Sequence, residues 1–123
     1  MKSDFLIVHK KILPVYYEKV LEARQLLRRK GMPVLTPNTI TDWEVLRGQL
    51  EQISAEGIAV ERGEYRPGLQ SVAAPVFSGR GDCIYAIGIV GVMRAGAWEE
   101  FDQAAKMVRE AAAAVSYELG WRG

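Results

Sequence analysis

Glu61, Glu64 and Ser71 have the strongest claim on chemistry in this chain of 123 residues. Two carboxylates three residues apart stand just before the glycine of a turn, Gly68, and a strand-like run, Leu69 to Phe77, follows. Acidic and hydroxyl groups are thereby set at the mouth of a buried strand, which is the layout of a ligand pocket. Glu61 with Ser71 is also the one conceivable pair for acid–base or nucleophilic work, which needs groups held together with shifted pKa values. Structural alternatives stand beside these readings. Glu61 and Glu64 pair with Arg62 or Arg66, cap backbone N–H groups or face water, and Ser71 is satisfied by the neighbouring strand.

The rest of the inventory argues against catalysis. The sequence has no Ser-His-Asp set, phosphate loop or metal-ligand cluster, so an enzyme is the weakest reading, with no cofactor and no metal expected. His9, the one histidine, sits in the apolar run Phe5-Leu6-Ile7-Val8 and reads as a strand-end residue. Cys83, the one cysteine, excludes an internal disulfide framework and has no activating cation or histidine near in sequence. With no secretory segment at the N-terminus the chain is expected to be cytoplasmic. No apolar run approaches the ~20 residues that span a bilayer, so no membrane is expected either. Met1-Lys2-Ser3-Asp4 has the look of a natural start.

Sixteen basic against fifteen acidic residues leave a net charge of +1, and the basic clusters are short: Lys10-Lys11 and Arg28-Arg29-Lys30, each beside a helix end. Helix-dipole complementarity explains them better than phosphate binding, so direct nucleic-acid binding is not expected. Arg80-Gly81-Asp82 spells a cell-adhesion tripeptide but reads as turn chemistry.

The elements that must position Glu61 and Ser71 follow from periodicity. Residues 4–9 suit a short strand, and Pro14 opens a helix to about Lys30 with Tyr16, Val20, Ala23 and Leu27 on one side and Gly31 as its cap. Pro33 and Pro37 keep residues 32–40 extended. Thr41 with Glu44 matches a capping box, so a second helix runs from Asp42 to about Glu56, burying Leu46, Leu50 and Ile53. Strands follow over Ile58–Glu61, Leu69–Phe77 and Cys83–Gly91, the last two joined by the hairpin loop 78–82. A final helix carries Trp98, Phe101, Ala105, Val108, Ala112, Val115 and Leu119 on one face, as a core face or a dimer seam, and closes at Gly120. The order β-α-α-β-β-β-α makes this an α+β domain, an antiparallel sheet packed on helices.

Several segments resemble the C-terminal effector-binding domain of the IclR family of bacterial transcription regulators. They are Thr36-Pro37-Asn38-Thr39-Ile40-Thr41-Asp42, Gly57 with Ala59, Glu64 and Gly68, Ala73-Ala74-Pro75-Val76-Phe77, and Gly91. The resemblance covers residues 31–120, leaving 1–30 as a divergent strand-helix extension of a single domain, 1–123. It implies a GAF-like or profilin-like fold that binds a small metabolite, often a carboxylic or aromatic acid. The family's winged helix-turn-helix and the half-domain ahead of the Thr-Pro-Asn-Thr segment have no visible counterpart.

Carried over by position, the resemblance implies a pocket acid at Glu61 and a small polar pocket residue at Ser71. The two serines that hold a ligand carboxylate in the family are here Gly88 and Val90. Missing hydroxyls leave a carboxylate under-satisfied by about 1–3 kcal/mol each. The ligand is therefore expected to be an apolar or aromatic acid or a neutral analogue, reaching Ser71, Gln70 or backbone N–H groups. The expected pocket is Glu61, Leu69, Ser71, Ile87, Gly88 and Val90, in a sensing domain that acts through a partner or alone, with a homodimer expected. The alternative is a ligand-free homo-oligomeric interaction module with a degenerate pocket.

Overall fold

The computed structural model describes residues 13–93 and 98–123. The strand expected over residues 4–9, with His9 and Lys10-Lys11, lies outside the described residues. Within them the order is α1 (Leu13–Lys30), α2 (Trp43–Glu56), β1 (Ala59–Arg62), β2 (Leu69–Phe77), β3 (Cys83–Val92) and α3 (Trp98–Glu118). The three strands form one antiparallel sheet in the order β1-β2-β3. This is the α+β arrangement expected.

Helix ends follow local chemistry. Arg28, Arg29 and Lys30 occupy the last turn of α1, where cations complement the unpaired carbonyls. At α2 the cap is Asp42 and not Thr41: its backbone is extended and its Oδ1 accepts the Val45 N–H at 3.1 Å. A carboxylate takes that position in preference to the preceding hydroxyl because it adds charge to the hydrogen bond. Gly57, at φ 72°, ends the helix by donating its N–H to Ile53 O at 2.8 Å. The stripe on α2 is as expected, with Leu50 buried and Leu46 and Ile53 half-buried.

Alternation divides the sheet into two faces. Val72, Ala74 and Val76 of β2 point to α3, where they join Ile58, Phe101, Val108 and Ala112, with Ile87 and Ala105 packed against them. Val72 and Val76 are nearly inaccessible to water, so the core is centred on β2 under α3. The α3 stripe departs from expectation in its last turns: Ser116 is buried, whereas Val115 and Leu119 are exposed. A hydrogen bond decides this. Ser116 Oγ donates to Ala112 O at 2.8 Å and accepts the Phe77 N–H at 2.9 Å, tying the end of β2 to the helix. Phe77 also packs on Trp121 with ring centroids 5.2 Å apart.

Among the described residues, β3 has far less cover than β2. Of its ten residues only Ile87 is half-buried, and the others are exposed.

Candidate functional site

Register sets the far face of the sheet, away from α3, as a series of rows. Glu61 lies opposite Ser71, and Ser71 opposite Val90. The next row is Ala59, Ala73 and Gly88, and on the other side Leu69 lies opposite Val92. Five expected pocket residues, Glu61, Leu69, Ser71, Gly88 and Val90, thus share one face. Ile87 does not join them. One residue from Gly88, it points the opposite way and packs into the core under α3. Gln70 is likewise out of phase with Ser71 and is buried on the α3 side.

Glu61 is already engaged. Its Oε1 accepts the N–H groups of Glu64 at 2.7 Å and Tyr65 at 3.1 Å, and its Oε2 accepts the Ser71 hydroxyl at 3.0 Å. Of the alternatives open from sequence, the carboxylate therefore does cap backbone N–H groups. The same bonds also fix Ser71. With its proton committed to Glu61, the hydroxyl offers only lone pairs to anything lying on the sheet.

The loop after β1 is gripped from its other side by the Thr-Pro-Asn-Thr segment. Thr36 Oγ1 donates to Gly63 O at 2.5 Å and Thr39 Oγ1 donates to Glu64 O at 2.6 Å. Thr39 Oγ1 also accepts the N–H groups of Leu35 and Thr36 at 3.1 and 2.8 Å. This clamp carries no exposed reactive group. The sequence showed the threonines at fixed spacing but not that their acceptors lie about the loop.

Burial pushes the Glu64 carboxyl above its ordinary value; the nearby Glu61 charge adds to the rise, and a backbone hydrogen bond at Arg62 opposes it. Cys83 is exposed, yet partial burial raises its thiol, against the lowering effect of a backbone hydrogen bond at Val76. A raised thiol is a poor nucleophile at neutral pH. Among the described residues no three His, Cys, Asp or Glu side chains are grouped to hold a metal ion. No described helix is long and apolar enough to cross a membrane.

Gly88 is required by the closeness of its neighbours. A Cβ there would come within 2.9 Å of Val72 O and 3.2 Å of Ala73 Cβ. A serine at this position would force β2 and β3 apart, so the missing hydroxyl follows from this sheet's own packing.

A cavity of about 250 Å³ lies elsewhere, between α2 and β1, lined by Gln49, Gln52, Ile53, Glu56, Ile58, Val60 and Arg62. None of the expected pocket residues lines it. Its polar groups largely satisfy one another or stack: Gln52 Nε2 donates to Glu56 Oε1 at 3.1 Å, and the Arg62 guanidinium lies 5.5 Å from the Phe101 ring centre.

Comparison with known proteins gives a consistent result. The family model described as bacterial transcriptional regulator IclR C-terminal matches residues 10–117. The HTH-type transcriptional repressor AllR of Klebsiella pneumoniae is 30% identical over 99 residues, 80% of this chain and 36% of that repressor. Among solved structures, an IclR transcriptional regulator from Alicyclobacillus acidocaldarius is 33% identical with a TM-score of 0.71, over 81% of this chain and 40% of that one. The C-terminal domain of the E. coli transcriptional regulator KdgR is 28% identical with a TM-score of 0.72, over 81% of this chain and 61% of that domain. The chain thus spans about a third of the length of AllR.

Proposed function

This chain belongs to the bacterial transcriptional regulator IclR C-terminal family, and from that membership we propose that it senses a small-molecule effector on the sheet face carrying Glu61, Leu69, Ser71, Gly88 and Val90. The observation that carries the reading is the row Glu61–Ser71–Val90, in which a hydrogen-bonded carboxylate and hydroxyl stand beside an exposed apolar side chain. Such a row combines orientation with apolar contact, as small-molecule sites do.

The polarity of the row narrows the ligand. Glu61 and Ser71 present acceptors, and Gly88 and Val90 bring no hydroxyl donors. A ligand carboxylate would face like charge here, so the reading favours an apolar or aromatic molecule offering N–H or O–H groups: a neutral amide, an alcohol or a protonated acid. The output passes to a partner or a further segment that contacts DNA, in the cytoplasm, through a homodimer and without turnover of the ligand.

The test is thermal melting against a panel of aromatic and aliphatic acids, their amides and neutral analogues, since a ligand that binds only the folded state raises the midpoint. A rise with amides or alcohols that Ser71→Leu abolishes supports the site. No rise across the panel, or a rise indifferent to Ser71→Leu, removes it.

A further inference from the structure

Thr36, Gln70 and Ser116 are the buried polar side chains among the described residues. Thr36 donates to Gly63 O, and Ser116 bonds Ala112 O and the Phe77 N–H. Gln70, at 6% exposure, differs from both: its carboxamide makes no side-chain hydrogen bond among the described residues. Buried polar groups in folded proteins are almost always paired, so an orphan amide marks a place where a partner belongs.

Two lengths fix what lies over it. Phe77 of β2 meets Ser116 of α3 at one end of the sheet. Gln70 is about 23 Å back along β2 from that point, and Phe101 is about 22 Å back along α3. The first turn of α3 therefore covers Gln70. Arg62 gives the same placement independently: it pairs with Gln70 across the β1–β2 ladder, and its guanidinium lies 5.5 Å from the Phe101 ring centre. On the other flank Gln70 faces Gly91, and among the described residues nothing lies within 4 Å of where a Gly91 Cβ would be.

We propose that Gln70 is the floor of a second binding site, on the α3 face of the sheet, that takes a small carboxylate. The local charges select an anion. A helix N-terminus carries partial positive charge and attracts carboxylates, the Arg62 guanidinium stands at the edge, and Gln70 Nε2 supplies N–H donors. Glu100 in the same turn is exposed; it weakens that field but leaves the Gln70 carboxamide unbonded. The open side over Gly91 gives a ligand of a few atoms its room. The opposite face of the sheet has the reverse polarity, with Glu61 and Ser71 presenting acceptors. The two faces thus select ligands of opposite character, and the site at Gln70 stands or falls apart from the Glu61–Ser71 row.

The experiment uses the full chain and its Gln70→Met variant, with acetate as the probe and chloride and acetamide as controls at neutral pH. Methionine keeps the length of the side chain and removes the unpaired polar group. Without probe, Gln70→Met is therefore expected to melt about 4 °C above the unmodified chain. In proton–nitrogen correlation spectra, the side-chain NH2 pair that disappears in Gln70→Met belongs to Gln70. Its signals are expected to shift saturably with acetate and not with chloride or acetamide. A midpoint that stays level or falls in Gln70→Met shows the carboxamide to be partnered already and overturns the site. A higher midpoint without a saturable acetate shift overturns it as well, leaving only a poorly satisfied core position. Equal saturation by acetamide overturns the choice of a carboxylate.

Discussion

Replacing Glu61 by alanine is expected to damage the fold before it damages any ligand site. The side chain accepts from Glu64 N–H, Tyr65 N–H and Ser71 Oγ, and the Tyr65 bond is the exposed one. Hydrogen bonds to a charged acceptor contribute about 1.5–3 kcal/mol each when shielded and less in water, so the half-buried pair sets the loss at about 2–3 kcal/mol. For a domain of this size that lowers the melting midpoint by about 8–12 °C. Glutamine retains one carbonyl oxygen for the loop N–H groups, and its amide can donate to Ser71, whose hydroxyl reverses role. Glu61→Gln is therefore expected to lose under about 1 kcal/mol. Thermal or urea melts of the two variants without ligand are the assay. If Glu61→Ala melts with the unmodified chain, or Glu61→Gln falls as far as Glu61→Ala, the loop is not held in the way described. The contrast also selects Glu61→Gln as the variant for ligand work.

Three further outcomes are expected. Ser116→Ala removes the hydroxyl that accepts the Phe77 N–H at the end of β2, and denaturant melts are expected to show a loss of about 1–3 kcal/mol. Gly88→Ser, which restores the hydroxyl implied by the family likeness, is expected to destabilise by about 1–3 kcal/mol because its Cβ meets the Val72 carbonyl; an unchanged midpoint would show that the strands part freely. Glu64 gives a pH signature. Its folded pKa lies above the ordinary 4.5, so the folded state binds the proton more tightly, and stability falls as pH rises from 4.5 through the raised value. Relative to Glu64→Gln, the unmodified chain is expected to lose stability across that window; parallel melting curves would show the carboxyl to be unperturbed.

Much of this was legible in the sequence where one local rule acts alone. Leu69–Phe77 is an apolar run bounded by turn residues, Leu46, Leu50 and Ile53 recur at helical spacing, and Gly57 ends a helix where a left-handed residue is needed. Legibility failed where two local rules competed or where distant groups met. Thr41 and Asp42 both offer a cap, and only the chain's path shows that Asp42 fills it. Val115 and Ser116 both continue the α3 stripe; burial goes to the polar residue because a strand N–H thirty-nine positions earlier needs an acceptor. Ile87 reads as a pocket residue from its neighbourhood, but strand parity sends it to the core. In β3 the residue types predicted a strand correctly, yet composition carries no information about its register against β2.

The loop between β1 and β2 has the properties of a strut. Glu61 occupies its donors, Thr36 and Thr39 occupy its acceptors, and those threonines lie on the segment leading to Asp42 at the start of α2. Such a loop has little slack in which to absorb a displacement. The Glu61–Ser71 end of the sheet and the threonine segment that leads into α2 are therefore joined through a continuous run of hydrogen bonds.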